Sequence, residues 1–183
     1  VFNTAQLYRT DRLEFIKTSY KKAVEKGYKI GFKLVRGAYM EKERERALEK
    51  GYPSPIQPDQ ASTDRDYDAA VSFCIAPFPE IGLCAGTHNE ESSHHLVRLM
   101  IKNNIPHNHP QIWFSQLLGM SDHISFNLAN AGYCVCKYVP YGPVVSVLPY
   151  LFRRAAENTS MSGQMGRELS MITQEIERRK KEK

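Results

Sequence analysis

The hydrophobic pattern of this chain switches repeatedly between a period of about 2 and a period of about 3.6, and that alternation constrains the fold more than any motif does. Strand-like runs at 1–8, 28–37, 80–86, 111–116 and 133–139 alternate with helical stretches at 11–26, 39–50, 60–75, 90–102, 120–130, 147–158 and 166–180. The 11–26 helix carries Leu13, Ile16, Tyr20 and Val24 on one face and stops at Gly27. Pro53, Pro55 and Pro58 mark a turn, Asn103-Asn104-Ile105-Pro106 ends one helix, and Gly132 ends another.

Strands that alternate with helices across short connections specify an α/β fold with a parallel sheet, either doubly wound or closed as a barrel. Polar and glycine residues gather just after each strand: Arg36-Gly37-Ala38-Tyr39, Thr87-His88-Asn89, Gln116 and Tyr138. In both architectures that edge binds ligands. A barrel takes eight strands and about 250 residues. The expected architecture is therefore part of a (βα)8 TIM-type barrel, with this chain supplying about strands 4 to 8 and their helices. The expected organisation is a barrel segment over 1–163, followed by an amphipathic helix and basic tail over 164–183.

Composition narrows the function classes. The chain has 183 residues, 42% hydrophobic and 25% charged, which is ordinary for a globular domain and too apolar for disorder. Its formal charge of +5 is concentrated in the final Arg178-Arg179-Lys180-Lys181-Glu182-Lys183, with no interleaved aromatics, so a nucleic-acid partner is not expected. Cys74, Cys84, Cys134 and Cys136 contain no CxxC pair and read as reduced thiols; Cys134 and Cys136 share a strand face, the one arrangement among them that suggests a metal pair. No metal is expected. There is no run of about 18 apolar residues. GxGxxG, GxxxxGK, HExxH and GxSxG are absent, and His94, His95, His107 and His109 read as solvated histidines. The Asn158-Thr159-Ser160 glycosylation pattern reads as chance.

Three clusters carry chemistry. Tyr150, Arg153, Arg154 and Glu157 are spaced to line one helix face, where two adjacent guanidiniums call for an anion, such as a small carboxylate held by bidentate hydrogen bonds; a surface Arg–Glu pair is the plainer alternative. Lys33-Leu-Val-Arg36-Gly37-Ala38-Tyr39 ends a strand with small residues flanked by cations, suited to a flat or phosphorylated ligand or simply to a tight turn. Thr87-His88-Asn89 ends another, with Asn89 placed to cap the helix from Glu90.

In order along the chain, Asn3-Thr-Ala-Gln6, Lys33-Leu-Val-Arg-Gly-Ala-Tyr39, Gly51-Tyr-Pro-Ser-Pro55, Thr63-Asp64 with Tyr67, Thr87-His-Asn89, Gln116-Leu-Leu-Gly-Met120, Lys137-Tyr-Val-Pro-Tyr-Gly-Pro143 and Leu148-Pro-Tyr-Leu-Phe-Arg-Arg154 with Glu157-Asn158 resemble the C-terminal part of the FAD-dependent proline dehydrogenase barrel. The resemblance implies oxidation of L-proline to Δ1-pyrroline-5-carboxylate, with FAD as cofactor and a quinone as final acceptor. It places Gln6, Lys33, Arg36, Gly37, Ala38, Thr87, His88 and Asn89 on FAD. Arg153 and Arg154 would hold the proline carboxylate, with Glu157 orienting them. Tyr138, Tyr150, Tyr39 and Leu117 would wall the ring. Lys33 and Tyr138 are the residues implied to lie closest to the chemistry.

Two positions depart from the family pattern: Lys33, often Arg there, and Gln60, often Lys. The family's early strands, with a lysine that covers proline and an aspartate near the flavin, have no counterpart in these residues. Hydroxyproline dehydrogenase is a sister reading, opposed by the bulk of Tyr138. A catalytically inactive half-barrel that pairs through an exposed sheet edge is the alternative from another class. The resemblance implies a cytoplasmic or inner-membrane-facing bacterial location, or a mitochondrial one in a eukaryote, with peripheral membrane contact through the basic C-terminal helix.

Overall fold

A computed structural model describes the backbone of residues 1–160 and 162–181 and the side chains of residues 1–152 and 169–181. Five strands alternate with helices: β1 (Asn3–Gln6), α1 (Arg12–Glu25), β2 (Ile30–Val35), α2 (Met40–Lys50), α3 (Gln60–Ile75), β3 (Ile81–Gly86), α4 (Glu90–Lys102), β4 (Ile112–Leu117), α5 (Asp122–Asn130), β5 (Val135–Tyr138), α6 (Val144–Ser160) and α7 (Ser162–Lys181). The strands form one sheet in the order β1-β2-β3-β4-β5. The β1–β2, β2–β3 and β3–β4 pairs are parallel. Two compact units make up the chain, Val1–Lys137 and Tyr138–Lys183.

In the first unit the strands bury alternate residues. Phe32 and Leu34 of β2, Ile81, Leu83 and Ala85 of β3, and Ile112 and Phe114 of β4 face one way. They pack against Ile16 of α1, Tyr67, Ala70, Val71 and Cys74 of α3, and Leu96 and Met100 of α4. One face of the sheet is thus covered by helices, as the two periodicities require. On α1 the buried positions are Ile16 and Ala23, whereas the expected core residue Val24 is 58% exposed. Gly27 follows α1 with φ 71°, a conformation that ends the helix.

The opposite face carries a different set. Register aligns Thr4, Lys33, Cys84 and Trp113 across the first four strands. A hydrogen bond from the Phe114 amide to the Cys134 carbonyl, 2.9 Å, seats β5 beside β4. Gly31 and Gly82 are adjacent in register, and the Phe2 ring lies over both. A Cβ at 31 would approach that ring to 3.0 Å, and one at 82 to 3.5 Å.

Several boundaries differ from the sequence reading. β1 and β5 are shorter than expected, and β4 runs one residue further to include Leu117. α5 begins at Asp122 rather than 120, because Gly119 and Ser121 both take positive φ. α6 begins at Val144, three residues early: the Pro143 carbonyl accepts from Ser146 N (2.9 Å) and Val147 N (3.0 Å), and Pro149 sits inside the helix. α3 and α4 match their expected bounds, each fixed by a capping side chain: Asp59 accepts from Ser62 N and Asn89 from Ser92 N.

Candidate active site

Because the strands are parallel, their C-terminal ends lie along one edge. Gln6 pairs with Val35, Leu34 with Ala85, and Gly86 with Ser115, so Gln6, Arg36, Thr87 and Gln116 come together on one rim. The pairing continues past the strands, with Leu7 N donating to Val35 O and Tyr8 N to Arg36 O, both at 2.8 Å.

Arg36 is the centre of this rim. Its Nε donates to Asp64 of α3 at 2.5 Å, one Nη to Thr87 Oγ1 at 2.7 Å and the other to Ser92 Oγ of α4 at 2.9 Å. The guanidinium also lies over the Tyr67 ring, 4.4 Å from its centroid. One planar fork thereby joins the end of β2 to α3, to the turn after β3 and to α4. Burial pushes the Tyr67 phenol up, against the opposing pull of the Arg36 charge.

Gly37 follows with φ 126°, and the space that a Cβ would take is filled by the Tyr8 ring, whose Cδ1 would lie 1.7 Å away. The glycine here is required by Tyr8, which is itself only 4% exposed. Burial and the neighbouring Glu43 carboxylate raise the Tyr8 phenol, with Arg9 opposing and Tyr39 adding. Ala38 and Tyr39 continue to α2, for which Tyr39 is the N-cap residue with no side-chain capping bond.

Lys33 stands on the sheet face away from the helices. Its Cε is 3.5 Å from where a Cβ on Gly86 would lie, an ordinary contact; the atoms that such a Cβ would crowd are Val35 Cγ1 at 2.9 Å and the Leu34 carbonyl oxygen at 3.0 Å. Cys84 is its neighbour in register. Burial pushes the Cys84 thiol up to about 11, with Cys136 beside it adding and Lys33 opposing. The thiol that bears on Cys84 is thus Cys136 of β5, and Cys134, expected to share a strand face with Cys136, lies just before that strand. All four cysteines are free.

The Thr87-His88-Asn89 turn is held from several sides. Thr87 N donates to Ser115 O at 3.2 Å, and Thr87 Oγ1 accepts from Asn89 N at 3.0 Å. Gln116 Nε2 donates to the Thr87 carbonyl at 3.2 Å. His88 Nδ1 and Ser121 Oγ are 3.0 Å apart. Asn89 Oδ1 accepts from Ser92 N at 3.0 Å, the capping role that its position predicts.

In the second unit, the Tyr138 and Tyr150 rings meet edge to face, with centroids 5.9 Å apart. α6 carries positions 150, 153, 154 and 157 on one continuous helix. The side chains of Arg153, Arg154 and Glu157 lie outside the described residues. Leu117, at the end of β4, is 9% exposed. Sequence reasoning missed Tyr8, Ser92, Ser121 and Ser125. Asp64 was visible only as part of a motif, with no indication that it answers Arg36. Among the described residues, no group of three or more His, Cys, Asp or Glu side chains is placed to hold a metal ion, and no helix is long and apolar enough to cross a membrane.

A parallel α/β sheet with a polar rim at its strand ends defines the class, a segment of a (βα) barrel. The chain belongs to the proline dehydrogenase family: a family model described as proline dehydrogenase matches residues 1–167. It is 39% identical over 189 residues to proline dehydrogenase 1, mitochondrial, of Drosophila melanogaster, covering 98% of this chain and 28% of that one. It is 41% identical over 183 residues to hydroxyproline dehydrogenase of Xenopus laevis, covering 98% and 39%. Among solved structures, proline utilization A from Bdellovibrio bacteriovorus inactivated by N-propargylglycine superposes with a TM-score of 0.80 at 28% identity, over 85% of this chain and 16% of that one. The chain spans well under half the length of these relatives.

Proposed function

We propose that this chain forms part of the active site of a flavin-dependent enzyme that oxidises L-proline to Δ1-pyrroline-5-carboxylate and passes the electrons to a quinone. The observation that carries this reading is the strand-end rim, where Gln6, Thr87 and His88 set a carboxamide, a hydroxyl and an imidazole along one edge, with the Lys33 cation on the sheet face two residues inside the end of β2, within a proline dehydrogenase sequence. That donor set suits FAD, with the Lys33 stem on the sheet face beside Gly86. When bound, FAD supplies the acceptor for a hydride leaving the ring carbon next to nitrogen.

The protein's part is orientation and electrostatics. Arg36, committed to Asp64, Thr87 and Ser92, holds the two strand-end turns in register, so its contribution to the cofactor is largely through Thr87. Gly37, Ala38 and Asn89 form the backbone floor of the same rim. Lys33 supplies the positive charge facing the ligand side of the sheet. Arg153 and Arg154 take the substrate carboxylate in a bidentate grip, with Glu157 orienting them. Tyr39 and Leu117 on the first unit, and Tyr138 and Tyr150 on the second, are the side chains that the family resemblance assigns to the substrate ring.

The near-equal identity to a hydroxyproline dehydrogenase favours hydroxyproline as a second substrate reading. The bulk of Tyr138 favours proline. We place the enzyme in the mitochondrion, in line with the name of the Drosophila relative, with the basic end of α7 touching an anionic bilayer.

The test is to purify the full-length protein, record its flavin absorbance, and add proline or trans-4-hydroxy-L-proline without oxygen. Bleaching by proline, with recovery on adding a soluble quinone, is expected. A colourless protein, or flavin that neither amino acid bleaches, overturns the reading. Arg154→Ala is expected to raise KM for proline by about 30-fold or more, since losing a carboxylate partner in a closed site costs roughly 2 to 4 kcal/mol. Deleting residues 175–183 is expected to release the protein from anionic vesicles; unchanged flotation refutes the membrane contact.

A further inference from the structure

Two of the helices behind the rim begin conventionally: the side chains of Asp59 and Asn89 accept hydrogen bonds from the amides of Ser62 (2.7 Å) and Ser92 (3.0 Å). α5 does not. Its N-cap residue, Ser121, has φ 51° and ψ 44°, a left-handed backbone that is unfavourable for any residue with a side chain, and its hydroxyl makes no capping bond. That hydroxyl lies 3.0 Å from His88 Nδ1 instead. A serine at a helix start ordinarily gains stability by capping. Here both the cap and the relaxed backbone are given up for one contact with a rim histidine, and strain of this kind is a pointer to function.

The strained turn is also anchored. The Ser121 carbonyl accepts from Ile124 N at 3.1 Å and Ser125 N at 3.2 Å. The Ser125 hydroxyl is shared between Ser121 O at 3.3 Å and Gln116 Oε1 at 3.0 Å. Gln116 Nε2 donates in turn to the carbonyl of Thr87, the residue before His88. Gln116, Ser121 and Ser125 are all buried. The first turn of α5 therefore holds the histidine twice, at its ring through Ser121 and at its backbone through Ser125 and Gln116. A satisfied buried network of this sort is rigid.

We propose that Ser121 is a positioning residue for His88, fixing the plane of its imidazole at the cofactor rim. The functional part of this inference rests on the reading of His88 as a flavin contact. The hydrogen bond commits Nδ1 to Ser121, whose hydroxyl serves either ring tautomer, so what the contact sets is the orientation of the ring.

The test uses two variants of the full-length protein that share the loss of the hydroxyl and differ in backbone strain. Ser121→Ala keeps the unfavourable left-handed residue, whereas Ser121→Gly relieves it. The His88 Nδ1 hydrogen bond is read from ring nitrogen shifts in protein labelled with 15N-histidine, with His88→Asn identifying the signal; this needs no flavin. FAD affinity is measured separately by titration. Both variants are expected to shift the His88 Nδ1 resonance and to weaken FAD binding by about 2- to 10-fold, the range for losing one neutral hydrogen bond. The two losses should be equal although Ser121→Gly is the more stable protein. An unchanged Nδ1 resonance in both variants overturns the proposal. So does an affinity loss present in Ser121→Ala and restored in Ser121→Gly, which would follow strain and not the hydroxyl. A shifted Nδ1 resonance in both with unaltered FAD affinity supports the positioning of the ring and overturns the assignment of His88 to the flavin.

Discussion

Arg36→Lys separates the charge of Arg36 from its shape. An ammonium retains one charge-assisted bond, to Asp64, but cannot span acceptors on three elements at once. The bonds to Thr87 Oγ1 at 2.7 Å and Ser92 Oγ at 2.9 Å are lost, at about 1 kcal/mol net each. The stack on Tyr67 at 4.4 Å adds roughly 0.5 to 1 kcal/mol. The ion pair itself is discounted, because Asp64 keeps 33% of its side chain exposed and the charge is conserved. The sum is about 2 to 3 kcal/mol, which lowers Tm by roughly 4 to 12 °C in a protein of 150–250 residues and by less in a longer one. Urea unfolding followed by circular dichroism measures it, with an unchanged m-value as the sign that only stability moved. Ser92→Ala should cost about 1 kcal/mol in the wild-type protein and almost nothing in the Arg36→Lys background, since its partner is already gone. A loss below about 0.5 kcal/mol, or full additivity of the two substitutions, refutes the fork as the organising element of the rim.

Gly37→Ala should be among the most damaging small changes in the chain, since its Cβ would sit 1.7 Å from Tyr8 Cδ1 at a φ of 126°; a loss above about 3 kcal/mol is expected from overpacking and backbone strain together, and a variant of near wild-type Tm contradicts it. Cys74 and Cys84, pushed up to about 12 and about 11 by burial, should resist alkylation of the native protein at pH 8.5 and react on unfolding; labelling at the rate of a free thiol shows that reasoning wrong. Because the Cys84 pKa is raised, its neutral thiol contributes stability in full below its ordinary value of 9.0, and that contribution is lost as pH rises towards about 11; a Cys84→Ser variant whose stability runs parallel to wild type from pH 8 to 11 speaks against it. Asp11 behaves in the opposite sense. Hydrogen bonds from Arg12 foremost, and from Arg9, hold its carboxyl below the usual range, so Asp11→Asn should cost well under 1 kcal/mol at neutral pH, with the difference fading below about pH 4; an acid-independent difference disproves the pairing.

How much of this could be read from the sequence depended on whether the information was local. α3 and α4 were legible to the residue because Asp59 and Asn89 announce their starts and hydrogen-bond within three residues. The rim was legible as a set of strand-end clusters, because parallel strands must share an edge. What could not be read was who answers whom. The Arg36–Asp64–Thr87–Ser92 node joins residues 28, 51 and 56 positions away from the arginine, and only the sheet register brings them together. Gly37 illustrates the same limit: its flexibility was visible, but the reason for it is the ring of Tyr8, from another strand end. The late start of α5 was hidden for a related reason. Ser121 has the composition of a cap and gives its hydroxyl to a histidine 33 residues earlier.

The placement of Phe2 across Gly31 and Gly82 has a consequence for how this sequence can drift. Three positions spread over some eighty residues share one volume, so none of them is free to change alone. A methyl group arriving at 31 would meet the ring at 3.0 Å and the Val1 carbonyl at 3.1 Å, which leaves little slack on either side. Among related chains, an aromatic residue at the position of Phe2 should travel with glycines at the other two, and a small residue there should release both to grow. The inner face of the sheet would then evolve as a conserved sum of sizes, with the individual residues exchanging shares of it.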